Sequence, residues 1–313
     1  MKGLELSERF YLEYGAPMIR ERFPELEDLI AVGLVGCGSE CLGYDDEIST
    51  DHDFEPGFCM FIPDSEDFDE RTEFALEREY ARLPKEFCGF SRSLIDPVGG
   101  SRHGVVRISD FLSARIGSPD GRLRLRDWVS LSDQSLSEIT NGRLFRDTLG
   151  LFTAIRERLA YFPEDARLKR LAGHLLLMGQ SGQYNYGRSV VRGESAAAQL
   201  AVTEYVKSAL AVIFLLNRRY LPYYKWSFRA LRELPILSEL HDPLEYLISS
   251  GNSPEEVSKK TAIVERVCGA VASELRAQGL TGYAGDEAEG HAYSVNDRIV
   301  DHGLRNLSVL FAV

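Results

Sequence analysis

The sequence predicts an α+β chain: a small mixed sheet with helices over residues 1–122, followed by an all-α helical bundle over 123–313. Three observations carry this. Short β-branched or apolar runs at 30–35, 58–62 and 105–108 alternate with helical stretches in the first part. From Arg124 onward strand signals vanish, and 145–161, 166–184, 196–219 and 254–278 place apolar residues at three- and four-residue spacing. A length of 313 residues also suits two ordinary cores better than one large one.

Taken in order, Ser7-Glu8-Arg9 opens a helix with Phe10, Tyr14 and Met18 on one side, and Pro24 or Glu25 begins a short turn. The buried strand 30–35 is broken by Gly36-Cys37-Gly38-Ser39. A polar loop from Tyr44 to Thr50 leads into Asp51-His52-Asp53-Phe54, and Pro56-Gly57 marks a bulge or edge before the strand 58–62. Asp64-Ser65 caps a helix running to Leu83, where Pro84 stops it. Gly99-Gly100 introduces the strand 105–108. Residues 282–290, rich in Gly, Ala, Asp and Glu, read as a flexible connection.

Composition narrows the function classes. Hydrophobic content of 44% and charged content of 27% are ordinary for a globular chain. Met1-Lys2-Gly3-Leu4-Glu5 carries no secretory pattern, and the apolar run 209–216 is short for a bilayer, so a cytoplasmic protein without a membrane partner is expected. The five cysteines show no CxxC pair and read as small buried residues, although Cys37 and Cys41 lie close to the Gly38 loop. A net charge of −12 argues against general DNA binding, which needs surplus Lys and Arg for phosphate neutralisation. Arginines concentrated between Arg143 and Arg219 leave room for a local basic groove, whereas acidic residues crowd Asp45 to Glu79.

The chemistry-bearing constellation is a strand ending in Gly38-Ser39, followed after eleven residues by Asp51-x-Asp53. Gly38 allows a phosphate close to the backbone. Ser39 offers a hydroxyl and nearby free N–H groups to an anion. Asp51 and Asp53, two apart on an extended segment, project to one face while His52 points to the other, where it reads as a packed histidine. Two adjacent carboxylates repel, and Mg²⁺ relieves that repulsion while bringing substrate phosphates with it.

This arrangement resembles the signature of the nucleotidyltransferase superfamily that includes DNA polymerase beta and kanamycin nucleotidyltransferase. Together with Gly43-Tyr44-Asp45-Asp46, Asp127-Trp128, Tyr161-Phe162-Pro163 and Tyr220-Leu221-Pro222-Tyr223-Tyr224-Lys225-Trp226, it is similar to a bacterial domain-of-unknown-function family of predicted nucleotidyltransferases. The resemblance implies a nucleotidyltransferase fold for the first domain. It further implies Mg²⁺-dependent transfer of a nucleoside monophosphate from ATP or another NTP to a hydroxyl of an unidentified acceptor (small molecule, protein or RNA). Asp51 and Asp53 would hold the metal, and Gly38 and Ser39 the triphosphate. Active superfamily members usually carry a third carboxylate on a later strand, where this chain has Arg107; Asp110 just beyond it and Asp96 before it are the candidates for that role. Without such a group the expectation becomes a non-catalytic nucleotide-binding regulatory or interaction protein.

The second half offers Gln180-Ser181-Gly182-Gln183-Tyr184-Asn185-Tyr186, polar residues that are expensive to bury unpaired. Arg188 and Arg192 share a face if the helix continues through Gly187. Lys225 follows a rigid Pro-Tyr-Tyr segment as a point charge. These three cations read either as triphosphate contacts or as structural ion pairs, and Tyr223, Tyr224 and Trp226 as packing rather than base-stacking groups.

Overall fold

The computed structural model describes residues 1–50, 54–92 and 103–313. The chain divides into two compact units: unit 1 is Met1–Arg122 with Ser135–Ala160, and unit 2 is Leu123–Gln134 with Tyr161–Val313. Together they make the α+β chain that the sequence predicts, with the described strands confined to unit 1 and unit 2 built of helices.

Unit 1 opens with α1 (Gly3–Phe10), which runs through a π-helical turn at Tyr11–Gly15 into α2 (Ala16–Arg22). The helix begins four residues before Ser7, because Ser7 is buried and its hydroxyl donates to the Gly57 carbonyl instead of capping. There follow β1 (Ala31–Leu34), α3 (Ser39–Leu42), β2 (Cys59–Ile62) and α4 (Glu70–Ala81). The cap of α4 is Asp69, which accepts the Thr72 N–H at 2.8 Å. Asp64, expected to cap it, accepts the Ser109 hydroxyl at 2.8 Å. A small ribbon, β3 (Glu86–Phe87) and β4 (Phe90–Ser91), precedes β5 (Gly104–Arg107) and α5 (Ile108–Ile116).

The chain then contributes α6 (Leu125–Ser130) to unit 2 and returns through α7 (Asp133–Thr140), β6 (Arg143–Arg146) and α8 (Leu151–Arg158). Strand β6 corrects the expectation of helix throughout this region. Its sequence, Arg-Leu-Phe-Arg, has no alternation to announce it. What recruits it is close backbone approach: a Cβ on Gly142 would lie 2.0 Å from the Leu34 carbonyl oxygen, and one on Gly33 2.4 Å from that of Arg143.

The four-stranded sheet has the order β5-β2-β1-β6; β2 and β5 are parallel and the other pairs antiparallel. Val32, Met60 and Ile62 face Leu6, Phe10, Leu76 and Tyr80, from α1 and α4. On the other face Phe61 meets Phe111 of α5 at 5.3 Å and Phe152 of α8 at 4.5 Å, centroid to centroid. The central strands are thus covered on both sides, which is why they read as continuous apolar runs. Each large side chain buried this way stabilises the unit by roughly 1.5–3 kcal/mol before entropy is counted.

Unit 2 is helical. α9 (Glu164–Met178) continues through a π-helical turn at Gly179–Tyr186 into α10 (Gly187–Val191), followed by α11 (Ser195–Leu216), α12 (Tyr224–Arg232) and α13 (His241–Ser249). α14 (Pro254–Ala277), α15 (Ala288–Asn296) and α16 (His302–Arg305) complete it. α9 is buried almost all round and packs against α6, α11 and α15. α11 is long and apolar enough to cross a membrane by length and composition alone, unlike the shorter run noted in the sequence, and 67% of that stretch is buried. The segment expected to be a flexible connection is tied down. His291 bonds Thr281 at 3.0 Å and the Gly285 carbonyl at 2.8 Å, and Arg276 donates to Gly285 and Asp286.

Candidate functional site

Strand β1 delivers the chain into the turn Gly36-Cys37-Gly38-Ser39. Gly38 has φ 122° and ψ 149°, a conformation closed to side chains with a Cβ, and it is the residue that starts α3. Gly36, at φ 123°, is clamped from outside the turn: Asn141 accepts its N–H at 3.0 Å and donates to its carbonyl at 2.7 Å. Asn141 is itself held by Arg156. That guanidinium donates to the carbonyls of Ile139 (2.9 Å), Thr140 (3.0 Å) and Asn141, the orphan acceptors at the end of α7. Burial pushes the pKa of Arg156 down, as expected for a cation paired with carbonyls rather than carboxylates. Gly142 adds a bond to the Cys41 carbonyl at 2.8 Å, fixing the end of α3 as well.

A cation stands against this turn that the sequence reading did not single out. A Cβ on Gly36 would lie 3.3 Å from Nη2 of Arg115. Arg115 stacks over Phe111 at 3.8 Å, donates to the Phe111 carbonyl at 3.2 Å and lies 3.4 Å from Glu138. Its Nε is enclosed without a hydrogen-bond partner. The available signal was the spacing Ile108, Phe111, Leu112, Ile116 before Gly117, which makes 108–116 a helix with Arg115 on its flank.

Asp51, Asp53, His52 and Asp96 lie outside the described residues. Asp110 sits in the first turn of α5 and is exposed. Arg107, at the position where the resemblance calls for a carboxylate, donates to Glu73 at 2.9 Å and to the Phe68 carbonyl at 2.7 Å. The segment leading into β2 is anchored by Glu55, 3.2 Å from His103, and by the Phe58 N–H on the Tyr80 hydroxyl at 3.1 Å.

The three predicted cations of unit 2 are exposed. The helix does continue through Gly187, so Arg188 and Arg192 are one turn apart, ending at Gly193 (φ 75°). Arg188 stacks over Tyr184 at 4.7 Å, and Lys225 lies 5.0 Å from the Trp226 ring. Among the described residues no hydrogen bond or ion pair joins Lys225 to either arginine. The polar segment 180–186 is paired internally. Gln183 bonds Glu265 at 2.8 Å and the Ala288 N–H at 2.9 Å, and Tyr186 donates to Asn252 at 3.2 Å.

Other motif residues of unit 2 converge on Arg170. Phe162 meets Trp128 and Tyr220 edge to face, and the Arg170 guanidinium lies 4.9 Å from its ring. Arg170 donates to the carbonyls of Val129 (3.2 Å) and Leu131 (3.0 Å) and to Asp133. Asp133 also accepts the Leu221 N–H at 2.9 Å. Asp127 closes a capping box on α6 with Arg124, whose cation holds its carboxyl below the usual range. Burial pushes Tyr161 and Tyr220 well above the ordinary phenol range. These contacts are architectural.

Among the described residues, one group of metal-ligating atoms comes together within 4.8 Å: His241, Asp242 and Glu245. Arg232 donates to His241 Nε2 at 2.8 Å, so the neutral ring carries its proton on Nδ1, which points at Asp242 (2.8 Å). That ring has no lone pair left for a metal.

Residues 128–227 match the profile of a family described as a domain of unknown function (DUF4037). The matched segment contains Trp128, the Tyr161-Phe162-Pro163 motif and Tyr220 to Trp226, and it excludes the Gly36–Ser39 turn. No curated protein matches the chain.

Proposed function

We propose that the chain is a Mg²⁺-dependent nucleotidyltransferase whose nucleotide sits at the Gly36–Ser39 turn of unit 1. The carrying observation is the juxtaposition of that glycine turn with the Arg115 guanidinium, 3.3 Å from where a Gly36 Cβ would be. Asn141 takes both backbone polar groups of Gly36, so it is the absent side chain of Gly38 that lets a phosphate approach the turn, and Arg115 supplies charge without leaving the unit. Such preorganised groups require no rearrangement when phosphoryl charge develops.

The donor chemistry of Asp51 and Asp53 suits Mg²⁺, which when bound neutralises phosphate charge. In the reaction, the acceptor hydroxyl oxygen bonds to the α-phosphorus of the NTP. The bond from that phosphorus to the bridging oxygen breaks, and pyrophosphate departs with the electron pair. The hydroxyl proton passes to a carboxylate base, for which Asp110 is the candidate. Arg156 and Asn141 are positioning residues, because they act on the turn through its backbone.

Arg107 favours a second reading. Its pairing with Glu73 fills the place of a third carboxylate, as in a protein that binds a nucleotide without transferring it. Labelled ATP with Mg²⁺ and candidate acceptors separates the two. Pyrophosphate release that disappears in Asp53→Ala supports transfer, and stoichiometric binding without turnover supports the regulator. On either reading Arg115→Ala weakens nucleotide binding at least tenfold, about 1.4 kcal/mol. Wild-type affinity in that variant rules out this turn as the site.

A further inference from the structure

We propose that unit 1 carries a binding site for an organic polyamine cation, in a pocket of about 510 Å³ between the start of α1 and the loop after α3. The volume is within the range of small-molecule sites. Its acidic groups are Glu5, Asp45, Asp46 and Glu47, and its apolar wall is Phe54 and Phe90, whose rings lie 4.9 Å apart.

Acidic clusters are common on surfaces, and Asp45 is what distinguishes this one. It is only 3% exposed. Its Oδ2 accepts the Gly3 N–H at 2.8 Å, whereas Oδ1 is enclosed with no hydrogen-bond partner. A buried carboxylate oxygen in that state is expensive and calls for a donor with positive charge. Lys2 comes close without meeting the need. Its ammonium is 3.5 Å from Oδ1, donates to the Asp45 backbone carbonyl, and belongs to a side chain that is 57% exposed. An ammonium therefore already stands at the mouth of the pocket, weakly held, where a ligand's ammonium would displace it.

The geometry selects the class of cation. A single metal ion needs several oxygens converging on one point. Among the described residues only the His241 group brings three ligand atoms within 4.8 Å, so these carboxylates are spread too widely for that. Spaced carboxylates with an aromatic wall suit spaced ammonium groups on an aliphatic chain, whose methylenes and charges both find partners on Phe54 and Phe90.

The inference stands apart from the nucleotide reading, since binding is measured without nucleotide. The full chain is titrated calorimetrically with spermidine, 1,4-diaminobutane, 1,4-butanediol and MgCl₂. Saturable binding of spermidine, weaker binding of the diamine and none of the diol are expected. Asp45→Asn should weaken spermidine binding at least tenfold, and Lys2→Ala should strengthen it severalfold by removing the competing ammonium. Glu5→Gln with Glu47→Gln, both on exposed positions, should weaken it with unchanged melting temperature, which decides the matter if Asp45→Asn does not fold. Equal binding of diol and diamine, Mg²⁺ competing at the same concentration as spermidine, or unchanged affinity in the Glu5/Glu47 variant overturns the proposal.

Discussion

Among the described residues, the charged side chains withdrawn from solvent in unit 1 are the carboxylates of Glu40 and Asp45; in unit 2 they are the cations Arg167, Lys169, Arg170 and Lys260. Lys169, Lys260 and Arg167 are closed systems, whereas Arg170 is engaged through both terminal nitrogens and keeps only its Nε enclosed without a hydrogen-bond partner. Lys169 donates to Asn296 (2.9 Å) and to the Leu307 carbonyl (2.8 Å), and Lys260 to Gln199, the Ser250 carbonyl and Asn252. Arg167 holds Glu164 and the Leu215 carbonyl. Helix ends supply orphan carbonyls, so a buried cation finds acceptors readily and becomes a strut. A buried carboxylate needs donors, and the backbone has few to spare; Asp45 obtains one, from Gly3. The difference teaches where to look for function: the buried cations of unit 2 hold the fold through several acceptors each, whereas Asp45 in unit 1 keeps a carboxylate oxygen without a hydrogen bond, the opening on which the polyamine proposal rests.

The largest test of that contrast is Arg170→Ala. It strands Asp133, the Leu131 carbonyl and the Val129 carbonyl together, and removing one partner of a buried pair typically costs 3–5 kcal/mol. Both tryptophans, Trp128 and Trp226, lie in unit 2, so urea unfolding followed by tryptophan fluorescence reports that unit. Adding Asp133→Asn should recover part of the loss. A cost below about 1 kcal/mol for Arg170→Ala would mean the cation is not a strut.

Much of unit 1 was legible because of how its sheet is buried. The strands at 30–35, 58–62 and 105–108 read clearly since both faces of the central strands are covered. Strand β6 did not, because four residues with Arg143 and Arg146 at the ends carry no pattern, and only the approach permitted by Gly33 and Gly142 reveals it. The Gly38 turn was legible from its residue types. Arg115 was not, because its place beside the turn comes from the packing of α5 and leaves no local mark. In unit 2 the helices were legible as periodicity, but α9 carries Arg167, Lys169 and Arg170 on nearly every side. A sequence reading assigns such residues to a surface, and the structure puts them in the core.

A second, intermediate effect comes from pH. Burial, with the Arg170 and Lys207 charges adding to it, pushes the His174 imidazole down to about 3, and its Nδ1 is enclosed without a partner. His291, neutral between Thr281 and Gly285, is shifted the same way, chiefly by burial. Both are neutral in the fold while the unfolded chain takes up protons near 6.5. Their contribution is therefore complete above that value and is lost as pH falls from 6.5 toward the folded values. For His174 alone this amounts to about 2 kcal/mol between pH 6.5 and 5. His174→Gln should flatten that slope in the tryptophan-monitored unfolding; an unchanged slope would show that the imidazole is hydrated in the fold.

The smallest expected effect is on the other side of the comparison, in unit 1. Asp45→Asn keeps an oxygen for the Gly3 N–H, so the one well-made bond survives. What is lost is the charge, which now costs desolvation and is answered only by the half-exposed Lys2 at 3.5 Å, a pair of the kind that contributes little in water. The two changes oppose each other, and the net should fall within about 1 kcal/mol of zero. Unit 1 has no tryptophan, so hydrogen exchange at the amides of β1 and β2 is the measurement, since these strands open only with the core. Protection preserved in Asp45→Asn, beside the large loss in Arg170→Ala, is what a carboxylate held for a ligand requires. A loss at Asp45 as large as that at Arg170 would make it a strut like the others, and the contrast between the two units would fall.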